Sequence, residues 1–110
     1  MVWTLQLIIF AETPKLQNAE RVFRQIQNAL SIELNLQSIE PYHKGGYRIA
    51  ATYAVSEEKW SEAVFNALNI LSLFSHRWEL SADVLESLNA VSCHSKFSGI
   101  TLITADMIKE

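Results

Sequence analysis

Cysteine occurs once in this chain of 110 residues, at position 93, so no intramolecular disulfide can form. That excludes a disulfide-stapled scaffold and fits a reducing compartment. Glycine (three) and proline (two) are also scarce, which excludes linker-like and low-complexity architectures and predicts long elements joined by few loops. A membrane-length apolar run is missing too. The N-terminal "MVWTLQLIIFAE" has no basic leader, is interrupted by Gln6 and is too short to span a bilayer. The expected location is therefore the cytoplasm, with no membrane partner. Metal-binding spacings are absent as well. His43, His76, His94 and Cys93 form no C-x-x-C, H-x-x-x-H or H-E-x-x-H pattern, and adjacent residues such as Cys93 and His94 point to opposite faces of a strand. No catalytic motif or cofactor fingerprint is present, so neither an enzyme, a metal nor a cofactor is expected.

What is present is apolar residues (49%) in a length that suits one domain, residues 1–110. The net charge of −3 is unevenly spread. Residues 1–55 carry five basic against four acidic side chains, whereas residues 56–110 carry four basic against eight acidic. Six of those acids fall between 57 and 86: Glu57, Glu58, Glu62, Glu79, Asp83 and Glu86. Such a stretch repels phosphate, which argues against nucleic-acid binding, and it suits a basic protein partner. The plainer reading is a solvated face that favours solubility.

Hydrophobic periodicity gives the organisation. Residues 2–11 carry apolar β-formers on both faces and read as a central strand. Thr13 and Pro14 then predict a helix start, followed by an apolar stripe of Leu16, Ala19, Phe23, Ile26 and Leu30. Weak alternation over 34–42 and clear alternation over 47–55 predict two strands. Ser56 reads as the cap of a second helix, with Glu57 and Glu58 in its first turn and Trp60, Val64, Ala67, Leu71 and Phe74 as its stripe. Trp78, Leu80 and Ala82 predict a short strand, and "GITLITADMI" a last one, while residues 83–94 fit helix and strand equally. The order points to an α+β, ferredoxin-like β-α-β-β-α-β sandwich, two helices on one face of an antiparallel sheet, plus an extra C-terminal strand segment. The other sheet face, expected to present Trp3, Tyr47 and Tyr53, then needs a cover: the C-terminal segment, a second copy or a partner.

The segment "EPYHKGGYR", residues 40–48, combines glycines with Lys44, Arg48 and His43, as a phosphate cradle would. Its glycines precede strand residues rather than a helix, so it reads as a hairpin turn. Tyr42 and His43 remain minor ligand-contact candidates. Cys93 reads as a buried packing residue rather than a nucleophile, and the Glu57/Glu58 and Glu58/Glu62 pairs as solvated rather than catalytic. Trp78, set between Arg77 and Glu79, is a candidate interface anchor that competes with core packing.

"HRWELSADVLESLNAVS" followed by "KFSGITLITADMI" resembles, in layout, the small α/β immunity proteins of bacterial contact-dependent growth inhibition systems. The resemblance implies a cognate toxin domain as partner, often a nuclease, bound before it can act. A basic nuclease cleft would attract the acids, so Glu57, Glu58, Glu62, Trp78, Glu79, Asp83 and Glu86 are the expected toxin-binding residues, sharing one edge of the domain. The competing readings are a ferredoxin-like ligand-binding or regulatory homodimer, with a pocket of Tyr47, Tyr53 and Trp3, and a small cofactor-free α/β-barrel enzyme.

Overall fold

The computed structural model describes residues 3–57, 59–83 and 87–109. Eight elements follow one another: β1 (Trp3–Ala11), α1 (Leu16–Leu30), β2 (Asn35–Pro41), β3 (Tyr47–Val55), α2 (Trp60–Phe74), β4 (Glu79–Asp83), β5 (Ser87–Ser92) and β6 (Ile100–Lys109). The six strands form one antiparallel sheet in the order β2-β3-β1-β6-β5-β4. The class is α+β, with two helices, as the periodicity indicates. Residues 87–92 of the ambiguous segment are strand, and residues 84–86 lie outside the described residues.

β1 is central because both its neighbours pair along its whole length. Trp3 to Ala11 run against Val55 to Tyr47 on one side and against Lys109 to Ile100 on the other. Its odd-numbered residues are buried with Ala19, Phe23 and Ile26 of α1 and Ala63, Ala67, Leu71 and Phe74 of α2 in one core, so both helices cover the same sheet face. Pairing decides the tyrosines: Tyr53 lies opposite Leu5 and Tyr47 opposite Ala11. Both therefore face the helices, as does Trp3, which is 2% exposed and stands 5.8 Å from the Trp60 ring. The pocket of Tyr47, Tyr53 and Trp3 expected on the uncovered face does not form there.

The uncovered face carries instead Ile8, Ala50 and Thr104 at its centre, with a polar row of Thr52, Gln6, Asp106 and Asn89 beside them. Ile8 and Ala50 are already buried within one chain. This face thus needs less cover than the sequence pattern suggests, and the C-terminal segment does not lie over it. That segment enters the sheet as β6.

A four-stranded ferredoxin-like sheet would place the strand after α2 beside β1; this sheet has six strands, and β4 lies at its edge. A polar knot holds the chain at the C-terminal end of α2. Ser75, fully buried, donates its hydroxyl to the His94 carbonyl at 2.7 Å and accepts the Arg77 N–H at 3.1 Å. Ser92, also buried, donates its hydroxyl to Ser75 at 2.8 Å. The last carbonyls of α2 lack intrahelical donors, and outside groups supply them. The Trp78 indole N–H donates to Leu71 and Ser75, the Lys96 ammonium to Ser72 and the Lys96 backbone N–H to Phe74. A lysine there also complements the helix dipole. The knot ties α2 to the end of β5 and to the loop that leads into β6.

Both helices start later than their sequence signals. α1 begins at Leu16, and Thr13 Oγ1 accepts the Lys15 N–H from outside the helix at 3.4 Å. α2 begins at Trp60 with Lys59 extended before it, so Glu57 precedes the helix and Glu62 occupies its first turn. Ser75→Ala would take the acceptor from the buried Ser92 hydroxyl and the partner from the part-buried His94 carbonyl and Arg77 N–H. It is expected to lower the unfolding free energy by about 3 kcal/mol, whereas Ser98→Ala, at an exposed site, should change it by less than about 0.5 kcal/mol. Urea titration of the two variants checks this.

Candidate protein-binding surface

α2 is apolar on both sides. Its inner stripe packs on the sheet, yet Phe65, Leu68 and Leu73 point outward, and Phe65 is 68% exposed. A helix of that kind has more apolar surface than one core can bury. Phe65 stands in a shallow concavity of about 570 Å³ with Glu57, Ser61, Glu62, Asn66 and Asn69. The Asn66 side-chain amide donates to both carboxylate oxygens of Glu57, at 2.9 and 3.0 Å. That contact holds the segment before α2 against the helix, which explains why Glu57 cannot lie in the first turn. Glu62, one turn before Phe65 and in the first helical turn, lies where the helix dipole favours a negative charge. The result is an exposed aromatic ring between two carboxylates, one of them fixed in place. The "EEKWSE" run that supplies them contains one cation, Lys59.

The expected site residues do not share one edge. Glu57 and Glu62 meet at the start of α2. Glu79 lies on β4 opposite Val91, which places it on the uncovered face, and Asp83 ends the same strand. β4 is four strand spacings from β3, about 19 Å. Trp78 is half-buried against the core and its indole N–H caps α2, so it packs rather than anchors a partner. Glu58 and Glu86 lie outside the described residues. Phe65 was missed because the stripe ending at Phe74 accounts for a complete helix face. The available signal was the number of large apolar residues left over in 60–74.

Other groups offer less. Among the described residues no group of three or more His, Cys, Asp or Glu side chains could hold a metal ion. Cys93 is exposed, not buried as its residue type suggests. Among the described residues no helix is long and apolar enough to cross a membrane. Comparison with known protein families, with characterised proteins and with solved structures finds no match to this chain.

Phe65→Ala should leave the fold intact, changing the unfolding free energy by less than about 0.5 kcal/mol. Asn66→Ala, which frees the Glu57 carboxylate, should cost about 1 kcal/mol. Chemical denaturation of both variants separates a surface ring from a structural one.

Proposed function

We propose that this chain is a toxin-neutralising immunity protein, which binds a basic, nuclease-type toxin domain through the outer face of α2 and blocks its active site. The observation that carries the reading is Phe65, a large exposed aromatic set between the carboxylates of Glu57 and Glu62. An aromatic anchor within a polar rim is the usual anatomy of a protein-binding hot spot. Carboxylates beside it steer a basic partner into place and compete for the cations of a phosphate-binding cleft. The acidic lean of residues 56–110 supports the same partner. Such a protein acts without chemistry of its own, in the cytoplasm, where its toxin acts. Glu79 and Asp83 would contribute long-range attraction from the far edge rather than direct contact.

The frame we infer for it is ferredoxin-like: strands β2-β3-β1-β6 with α1 and α2, into which β4 and β5 insert as a hairpin. Antiparallel pairing throughout and the placement of both helices on one face support this assignment.

The test is protection of cells that express basic, nuclease-type toxin domains together with this chain. Phe65→Ala is expected to weaken binding by about 2 kcal/mol, roughly thirtyfold. Reversing Glu57 and Glu62 to Lys should slow association, with an effect that shrinks as salt is added. Full protection by the triple variant would exclude this surface.

A further inference from the structure

All three glycines of the chain have positive φ, and all three gather at one end of the sheet. Gly45 and Gly46 form the β2–β3 turn, in which the Tyr42 N–H donates to the Gly46 carbonyl and the Gly45 N–H to the Tyr42 carbonyl, both at 2.9 Å. A Cβ on Gly46 would collide with the Ala11 carbonyl oxygen, so only glycine lets this turn close on the β1–α1 loop. The Gly99 carbonyl accepts the Glu12 N–H and fixes the loop from the other side. Between the turn and the loop lies a groove of about 540 Å³, within the range of small-molecule sites. Phe10 and Tyr42, in edge-to-face contact at 4.8 Å, line its apolar part with Leu102 and Pro14. Glu12 and Lys44 also line it. Both are exposed, and neither has an ion-pair partner among the described residues.

From these features we infer that the groove binds a free α-amino acid with an apolar side chain. Its side chain lies on Phe10, Tyr42 and Leu102, its ammonium meets Glu12 and its carboxylate meets Lys44. One charge of each sign beside an apolar floor matches a zwitterion better than an anion or a cation, because a singly charged ligand would meet one like charge. The close approach of Gly46 to Ala11 and the Glu12–Gly99 backbone hydrogen bond hold the walls, which lowers the ordering cost of binding. The groove is built from the end of β1, the loop after it, the β2–β3 turn and the start of β6, and it shares no residue with the Phe65 surface. The inference therefore stands apart from the immunity reading.

Titration of L-phenylalanine into isotope-labelled protein, followed by NMR, is expected to shift the amides of Phe10, Glu12, Lys44 and Gly46 saturably. N-acetyl-L-phenylalanine and L-phenylalanine methyl ester, each lacking one charge, should bind roughly tenfold more weakly. Glu12→Gln should erase the difference between the amino acid and its N-acetyl form, and Lys44→Met the difference from its methyl ester. Both residues are exposed, and the same spectra report whether the fold is kept. No saturable shift at those amides, or equal affinity for the amino acid and both blocked forms, would overturn the inference.

Discussion

The hydrogen bond between the Ser75 and Ser92 hydroxyls is the contact on which this architecture turns. It gives the buried Ser92 hydroxyl its acceptor, and a buried hydroxyl left without one costs about 1–3 kcal/mol. With it, the chain leaving α2 is held over the end of β5, and Trp78 and Lys96 satisfy the remaining helix carbonyls from either side. The strand that follows, β4, lies at the far edge. β4 and β5 run out and back as a hairpin, and the place beside β1 falls to β6. The buried hydroxyls of Ser75 and Ser92 are both partnered, and they fasten the end of α2 to the end of β5.

That strand order also decides which surfaces are free. Because β6 enters the sheet, one face remains open, and its centre is sheltered by neighbouring side chains rather than by a second layer. The other face is covered by two helices of different character. α1 buries Ala19, Phe23 and Ile26 of its stripe and leaves Leu16, at its start, exposed. α2 is dry on its inner side and carries Phe65, Leu68 and Leu73 on its outer side. An apolar ring left in water contributes nothing to folding. Burying it against a partner is worth about 1.5–3 kcal/mol, which is the physical reason to look for recognition at α2 rather than on the open sheet.

Much of this was legible in the sequence, and the failures have causes. β1, the α1 stripe, the turn at Gly45 and Gly46 and the alternation of β3 are local patterns, and they could be read locally. The face taken by Tyr47 and Tyr53 could not, since alternation says which residues share a face and only the register with β1 says which face it is. The place of β6 depends on pairs such as Phe10 with Leu102, from opposite ends of the chain. The helix starts at Ser56 and Thr13 were displaced by side-chain contacts, most clearly that of Glu57 with Asn66, for which capping rules have no term. Of the candidate surface, charge patterning picked out Glu57 and Glu62 but also gathered Glu79 and Asp83, which the sheet separates. Phe65 went unnoticed because an exposed aromatic and a core aromatic look alike until the helix is placed.

The central claim is that the outer face of α2 meets a partner. Amide hydrogen exchange of the chain, free and bound to a nuclease-type toxin domain that it neutralises in cells, tests this most directly. The account predicts new protection concentrated in residues 60–69, with β4 and the β2–β3 turn unchanged. Protection confined to the open sheet face or to β4, with the α2 amides exchanging as in the free chain, would contradict it.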